Sequence, residues 1–259
     1  MKVLDKSGLE YYNSLIDNKY LKKTDVKVVD VLLNGAKGDG TVDDTSKIQE
    51  IINNNPGSII YFPKGEYLIS ETITTPADSP NKVLLRLDEN AVIKAKDGFV
   101  GTWLIELGGT GTPDTPGDVS VMRANRKFTG ISGGVFNCRY LCSGIRYTGI
   151  SLGFLLDIKV LCSSNIGVQI EPRSESYSSS DAYLHNIWVD GPQCTPGSIG
   201  IVINGTDNNI NYVRSTAFEI GIQLNGQTNH LTHCHPMYSD LNASAVHNNS
   251  VGYEVNAAK

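Results

Sequence analysis

The sequence lacks any concentration of basic residues and any long apolar run. Its 259 residues include 22 Lys and Arg against 27 Asp and Glu, which gives a formal net charge of −5. Proteins that bind nucleic acid present a concentrated basic face to the phosphates, so we expect no nucleic-acid partner. No apolar stretch approaches the ~18 residues that span a bilayer, so we expect no membrane insertion.

A secretion signal is also missing from the N-terminus. The first twenty residues, MKVLDKSGLEYYNSLIDNKY, contain no apolar h-region. We therefore expect a protein made in the cytoplasm without a signal peptide. It would either stay there or leave by another route.

Paired-cysteine motifs are absent as well. The five cysteines are odd in number and form no CxxC pair, which favours buried free thiols. Zinc binding and a disulfide framework are the alternatives. The residues are Cys138, Cys142, Cys162, Cys194 and Cys234.

Residues 1–24 have the pattern of a helix. Ser7 and Glu10 form a capping box, and apolar residues then recur at helical spacing. A single apolar stripe needs a surface to pack against. That surface is either the rest of the domain or the same helix in another subunit, so the segment is a candidate for oligomerisation.

A second helix is predicted at about residues 43–54. Asp43 or Asp44 can cap it, its apolar residues are spaced as on one helical face, and Pro56-Gly57 ends it. We expect it to cap the first coil of the strands that follow, because solenoid ends expose unpaired backbone groups.

From residue 144 onward the chain repeats a unit of Gly, apolar, any, apolar, polar. Adjacent copies begin as close as 21 positions apart, as at Gly200 and Gly221, and a second strand lies within each interval. This period, with no further helices, predicts an all-β fold: a right-handed, single-stranded parallel β-helix (a solenoid) over residues 25–259. The repeated glycines are Gly144, Gly167, Gly200, Gly221 and Gly252.

Strand alternation predicts which side chains enter this solenoid. The apolar residues one and three positions after each glycine should point inward. The fifth position holds Asn204, Asn225 and Asn256 in the later units, where we expect hydrogen bonds from coil to coil.

Two stretches resemble a known superfamily. NGAKGDGTVDDTSKIQEII, followed by IYFPKGEYLIS, resembles the first segment of pectate-lyase-like right-handed β-helix proteins. The resemblance implies the fold, whereas the activities of that superfamily include lyases, hydrolases, epimerases and non-catalytic binders. This chain lacks the Asn-Thr-Asp and Arg-Ile-Lys motifs of the polygalacturonase-type hydrolases. It also lacks the converging acidic row of the calcium-dependent lyases, so we expect no cofactor, with calcium as the alternative.

The segment VLDKSGLEYYNSLIDNKYLKK resembles the N-terminal part of tail and receptor-binding proteins of phages and prophages of Gram-positive bacteria. The resemblance implies a homotrimer that is associated with a virion or tail, or is extracellular after release. Virions assemble in the cytosol, which agrees with the missing secretion signal.

Outward rows on the stacked strands are the candidate binding surface. One row, just after the second-strand centres, combines an aromatic ring with basic residues, a composition suited to a polysaccharide partner. A solvated strand face is the alternative. The candidate substrate-binding residues are Lys159, Trp188, Arg214 and His235, with Asp157 and Tyr212 just before the centres.

Catalytic candidates lie in EPRSESYSSSDAYLH, the longest insertion that follows the first strand of a repeat unit. Its Glu171, Arg173, Asp181 and His185 offer acid, base and charge-neutralising groups, although a plain polar loop would look the same. Glu106 is a similar carboxylate. His233 and His235 could share a metal, but no further ligand pattern accompanies them, so we assign no metal site.

Three functions fit these observations. The first is a prophage tailspike-like β-helix that binds, and in an active form depolymerises, a bacterial surface polysaccharide. The alternatives are a free pectate-lyase-like polysaccharide lyase or glycoside hydrolase, and a non-catalytic structural or adhesive β-helix. The last predicted strand carries no visible cap, so we expect either a partner chain or a natural chain that continues past residue 259.

Overall fold

The computed structural model describes residues 27–78, 81–111, 129–149, 152–173, 179–237 and 251–256. The helix predicted in residues 1–24 lies outside these ranges. Within them, strands dominate and a single helix is present.

The strands follow one another along almost the whole described chain. The early elements are β1 (Val28–Asp30), β2 (Asp39–Asp43), the helix α1 (Thr45–Asn54), β3 (Ile59–Phe62), β4 (Gly65–Pro76), β5 (Leu84–Leu87) and β6 (Ala91–Thr110). The middle strands are β7 (Gly130–Ser132), β8 (Val135–Asn137), β9 (Ser143–Thr148), β10 (Phe154–Leu161), β11 (Ile166–Glu171) and β12 (Tyr183–Asp190). The last are β13 (Ile199–Ile203), β14 (Asn209–Thr216), β15 (Ile220–Leu224), β16 (His230–Thr232), β17 (His235–Met237) and β18 (Val251–Val255).

Each strand pairs in parallel with a strand one coil away, rather than with its neighbour in sequence. The end of β6, then β9, β11, β13, β15 and β18 form one stack, which we call the first face. The pair β7 and β8, then β10, β12, β14, and the pair β16 and β17 form a second stack, the second face. The chain is therefore a parallel β-helix, as predicted, and its hand is right-handed.

The repeated glycines lie one above another on the first face. Val168 pairs with Ile145 and with Ile201, and Ile222 pairs with Ile201 and with Tyr253. Each glycine directly precedes one of these residues, so the register that the repeat predicted is confirmed.

Space, and not backbone conformation, requires glycine in this column. None of the column glycines has a positive φ. A Cβ on Gly167 would lie 2.6 Å from the Gly200 carbonyl oxygen, and one on Gly200 would lie 2.5 Å from that of Gly221 and closer still to the Ser215 hydroxyl. The first-face strand therefore approaches both the next coil and the second-face side chains more closely than a methyl group permits.

The core is a stack of inward side chains between the faces. Ile145, Val168, Ile201 and Ile222 are fully buried, as the alternation predicted. Tyr253 was expected to point inward too, but it is 46% exposed, because no described strand lies beyond β18 to cover it. Burial of these columns is the main stabilising term, at ~25 cal/mol per Å² of apolar surface.

The predicted asparagine ladder is present beside the glycine column. Asn225 donates from Nδ2 to Asn204 Oδ1 at 2.7 Å, and Asn256 donates to Asn225 Oδ1 at 2.6 Å. Each amide thus satisfies its neighbour in the adjacent coil, which fixes the side-chain orientation along the stack.

Helix α1 covers the first coil through its buried Ile48, Ile51 and Ile52. The two candidate caps have different roles. Asp43 Oδ1 accepts from the Thr45 amide at 3.0 Å and its hydroxyl at 2.6 Å, whereas Asp44 accepts from the amides of the 37–38 turn. Burial raises the pKa of Asp43, but hydrogen bonds from Thr45 and Ser70 outweigh it and lower the pKa to about 2.

No disulfide joins any two of the five cysteines, and Cys138, Cys142 and Cys194 are buried, which agrees with the favoured reading of buried thiols. Among the described residues, no helix has the length and apolar character needed to cross a bilayer.

We predict that Gly200→Ala destabilises the protein by about 1–3 kcal/mol, because the methyl group must displace a backbone carbonyl. Gly252→Ala is the matched control, since its Cβ would meet only Pro236 Cγ at 3.4 Å, an ordinary contact. Urea unfolding of both variants measures the difference. Equal stabilities would show that the column does not depend on this close approach.

Candidate functional site

Each second-face strand bends at its centre, at a residue in the left-handed conformation. Asp157, Asn186, Tyr212 and His233 have φ values of 55°, 52°, 52° and 53°. The bend interrupts the strand pairing. Strands β10 and β12 are paired on either side of positions 157 and 186 but not at these two positions. All four stand in one column, so the bend repeats from coil to coil.

This bend opens a groove along the solenoid, which we call the second-face groove. It has a volume of about 280 Å³ and extends over four coils. Its polar and aromatic lining consists of Asp157, Lys159, Asn186, Trp188, Tyr212, Arg214, His233 and His235. All six predicted substrate-binding residues therefore line one groove.

Trp188 stands at the centre of the groove between two cations. Lys159 pairs with it in the coil below and Arg214 in the coil above, and His235 pairs with Arg214. Lys159 Nζ lies 5.9 Å from the centroid of the indole ring, and Arg214 Cζ lies 5.8 Å from it. Both distances fall within the range of a cation–π attraction, which holds the three side chains in a column.

A series of ring contacts begins at Tyr212 and His233 in the groove lining and continues beside the groove to His185 and Tyr183. Tyr212 lies 4.6 Å from His233 with the ring planes 5° apart, and 5.5 Å from His185 in an edge-on contact. His185 in turn stacks on Tyr183 at 5.7 Å. The ladder places ring faces and ring nitrogens at coil spacing beside the cationic row.

Tyr212 occupies a backbone conformation that asparagine or glycine would adopt at lower cost. Its side chain is nevertheless 53% exposed and contributes little to the core. Strained backbone positions of this kind cluster at ligand-binding sites, so Tyr212 is a strong candidate for contact with a ligand.

Among the described residues that line the groove, Asp157 alone carries a carboxylate. Asn186 donates to its Oδ1 at 2.8 Å, which fixes both side chains between the first two coils of the groove. Asn186 and His233 also line the groove, although neither was among the predicted substrate-binding residues.

The thiol of Cys234, beside the groove, is not activated. Burial raises its pKa, and its sulfur lies within hydrogen-bonding distance of the Ile210 carbonyl at 3.5 Å. It therefore remains a neutral thiol at neutral pH rather than a nucleophile.

Two of the predicted catalytic residues lie on the first face. Glu171 forms an ion pair with Arg146 and accepts a hydrogen bond from the Gln169 amide, while Arg146 NH1 also contacts Glu106 Oε1 at 2.6 Å. We call these four residues the first-face cluster. The side chains of Glu106 and Glu171 are 19% and 18% exposed, so solvent reaches both carboxylates.

Arg173, the second of these residues, binds the backbone. Its guanidinium donates to the carbonyl oxygens of Gly108 at 3.1 Å and Gly111 at 2.7 Å. The side chain therefore fixes the turn at the end of β6, close in sequence to Glu106.

The other two predicted catalytic residues lie elsewhere. Asp181 stands at the corner before β12 and accepts from the Ser180 hydroxyl at 3.1 Å, and His185 belongs to the ring ladder of the groove. The structure thus separates Glu171 from His185. Arg146 was missing from the predicted catalytic set, because its partner Glu106 lies on β6, before the repeat begins, and the sequence did not align the two strands.

Within the described part of the chain, no group of three or more His, Cys, Asp or Glu side chains is arranged to hold a metal ion. His233 stacks on Tyr212, and His235 pairs with Arg214. The two imidazoles are therefore parts of different rows of the groove.

Comparison with known families gives one match over most of the chain. The sequence model of the rhamnogalacturonase A/epimerase, pectate lyase-like family matches residues 28–252. This range contains both the second-face groove and the first-face cluster.

Solved structures with the same fold include viral proteins and an enzyme. ORF18 of Geobacillus virus E2 aligns with 98% of this chain at a TM-score of 0.63 and 22% identity. Pre-mature gene product 12 of bacteriophage phi29 aligns with 88% at a TM-score of 0.65 and 17% identity. The family 28 exopolygalacturonase of Yersinia enterocolitica aligns with 81% at a TM-score of 0.61 and 13% identity. At these identities the similarity shows the fold alone.

All of these proteins are longer than the present chain. It spans 49% of ORF18, 31% of gene product 12 and 48% of the exopolygalacturonase. It spans 4% and 8% of the two curated relatives that it matches, at 40% and 39% identity over 55 and 75 residues.

Proposed function

The chain belongs to the rhamnogalacturonase A/epimerase, pectate lyase-like family, and we propose that it is a tailspike-like β-helix of a phage or prophage. In this proposal it binds a bacterial surface polysaccharide along the second-face groove.

The observation that carries the proposal is the regular spacing, coil by coil, of polar and aromatic side chains along the groove. Coils stack at ~4.8 Å, so each row presents one contact per coil in a straight line. An extended polymer offers its own repeating groups along a line, and rings with cations are suited to the apolar faces and acidic groups of sugars. A globular partner has no linear repeat that would match contacts at regular spacing.

Support for a viral role comes from two independent similarities. ORF18 and gene product 12 are viral proteins whose fold matches most of this chain. The N-terminal segment resembles phage tail and receptor-binding proteins of Gram-positive hosts. In this proposal the protein is made in the cytoplasm, assembles as a homotrimer and becomes part of a virion tail.

Glycan cleavage on the first face is a second candidate function, favoured by the first-face cluster. Hydrolysis needs two carboxyl groups that flank the scissile bond, one to protonate the leaving oxygen and one to attack or to activate water. Glu106 and Glu171 are two solvent-accessible carboxyl groups held by one guanidinium.

We predict that the protein binds bacterial capsular or cell-wall glycans on a glycan array, and that Trp188→Ala weakens this binding at least about tenfold. Trp188 and Tyr140 are similarly exposed, at 39% and 49%, but Tyr140 lies outside the groove. Tyr140→Ala is therefore the matched control and should bind as the wild type does. A wide panel with no bound glycan, or full binding by Trp188→Ala, would contradict the proposed site.

For cleavage, we predict new reducing ends from a bound glycan and a loss of at least about 100-fold in rate for Glu106→Gln and Glu171→Gln. Glutamine keeps the shape of the side chain but cannot exchange the proton. Glu254→Gln is the control, because Glu254 lies on the same face and, within the described part of the chain, accepts a hydrogen bond from Gln223 at 2.8 Å but forms no ion pair. Both hydrolysis and elimination release reducing ends, and only elimination also produces an unsaturated uronate, so absorbance near 235 nm together with new reducing ends would indicate elimination instead. If no product forms, the protein binds the glycan without cleaving it.

For assembly, we predict that light scattering gives the mass of three chains, and that removal of residues 1–24 reduces it to one. The β-helix itself should stay folded, because the described coils have their own core. A full-length monomer would contradict the trimer, and a trimer that survived the truncation would place the contacts on the coils.

A further inference from the structure

Cysteines from two adjacent coils meet at one corner of the solenoid, where the second face leads into the first. Cys138 and Cys142 flank the turn between β8 and β9, and Cys162 follows β10 in the next coil. The Cys138 amide donates to the Leu161 carbonyl at 2.9 Å, and the Ser164 amide donates to the Cys142 carbonyl at 3.0 Å. The strand register therefore brings these three cysteines to the same corner.

The turn between Cys138 and Cys142 has an unfavourable backbone conformation. Arg139 and Tyr140 have φ values of 52° and 58°, and the Leu141 amide donates to the Cys138 carbonyl at 2.9 Å, which is the pattern of a type I′ turn. Glycine and asparagine dominate the central positions of such turns, because other side chains are strained there. Tyr140 is half exposed, so packing of its ring does not explain the strain.

This turn produces a contact between two buried thiols. Cys138 and Cys142 are 0% and 2% exposed, and a hydrogen bond joins their side chains. That hydrogen bond, together with burial, raises the pKa of Cys138 well above its usual range. Because the two side chains already converge, a disulfide can join them without the backbone movement that distant cysteines would require.

Of the three thiols at this corner, only that of Cys162 is partly exposed. Partial burial and a hydrogen bond with Cys162 raise the pKa of Tyr140 to about 12, so the phenol stays protonated and holds the Cys162 side chain in place. An oxidant in solvent therefore meets Cys162 before it meets the buried pair. Disulfides pass from one thiol to another by exchange, so oxidation at Cys162 can reach its neighbours.

We propose that Cys138 and Cys142 form a disulfide across the strained turn when the protein enters an oxidising environment, and that Cys162 is the thiol through which the oxidant reacts. The structure shows the reduced form, which is the form that cytoplasmic thiols maintain. Once formed, the disulfide holds the corner that connects the two faces and opposes opening of the turn. This inference does not depend on what the groove binds.

The chemistry is thiol–disulfide exchange with a small-molecule disulfide such as oxidised glutathione. The Cys162 thiolate attacks one glutathione sulfur, which forms a mixed disulfide and releases one glutathione thiol. Cys142 then attacks the Cys162 sulfur and displaces the second glutathione, and Cys138 attacks the Cys142 sulfur and releases the Cys162 thiol. In total the buried pair loses two electrons and two protons, which convert one oxidised glutathione into two thiols.

Peptide mapping of the full chain tests the pairing. Protein purified under reducing conditions is incubated with oxidised glutathione, its remaining thiols are alkylated, and its tryptic digest is analysed by mass spectrometry without reduction. Trypsin cleaves after Arg139 and therefore separates the two cysteines. We expect the peptide of residues 128–139 to be linked to that of residues 140–146 as the predominant product.

Cys162→Ser tests the route of the oxidant, with Cys234→Ser as the matched control. Cys162 and Cys234 are both partly exposed thiols, but Cys234 lies between β16 and β17, in a later coil. We expect Cys162→Ser to slow formation of the disulfide at least about fivefold and to leave its position unchanged. Cys234→Ser should form the same disulfide at the rate of the wild type.

Thermal unfolding measures what the disulfide does for the fold. Oxidation should raise the Tm of the wild type by at least about 3 °C, because the cross-link restricts the unfolded chain. Oxidation of Cys142→Ser should leave its Tm unchanged. Since each variant is compared with its own reduced form, any effect of the substitution on folding cancels.

Three outcomes would overturn the inference. The first is free thiols at Cys138 and Cys142 after prolonged oxidation. The second is a final product in which Cys162 is joined to either of them, which would show that the turn does not select the pair. The third is an equal rate for Cys162→Ser and the wild type, which would contradict the assigned route of the oxidant.

Discussion

The first-face strands run so close to the next coil and to the second face that only hydrogen fits at one position of each repeat. Gly144, Gly167, Gly200 and Gly221 occupy that position, and a Cβ at any of them would meet the carbonyl oxygen of the glycine above. A slip of one residue would put a side chain into this gap and would also turn every inward residue outward. The glycine column therefore fixes the register from Gly144 onward, and every other row of side chains depends on that register.

The site follows from the same register. Because equivalent residues stand above one another, the left-handed bends at Asp157, Asn186 and Tyr212 combine into one continuous groove instead of separate dimples. The same alignment places Trp188 between Lys159 and Arg214. A repetitive fold thus converts single residues into rows, and these rows suit a repetitive ligand.

The sequence predicted most features that follow from the repeat: the coil, the core residues and the alignment of side chains between coils. The 21-residue interval between Gly200 and Gly221 predicted the coil, and strand alternation predicted Ile201 and Ile222 as core residues. Counting from the same repeat also aligned Trp188 with its neighbours. The left-handed conformation of Tyr212 was not predictable, because tyrosine carries no preference for it. Contacts between strands that are separated by insertions of unequal length could not be predicted either. The ion pairs of Arg146 and the backbone contacts of Arg173 are examples. That Glu171 and His185 lie on different faces was not predicted either, because the sequence of the loop between them does not show which face each of its ends joins.

The central claim is that one register-aligned column on the second face binds a polymer along the solenoid axis. The most direct measurement is a crystal structure of the protein with an oligosaccharide identified by its binding. We predict continuous sugar density along the groove, parallel to the stack, with contacts from Lys159, Trp188 and Arg214 in successive coils. Density that crosses the coils, or that lies on the first face beside Arg146 and leaves the groove empty, would contradict the account.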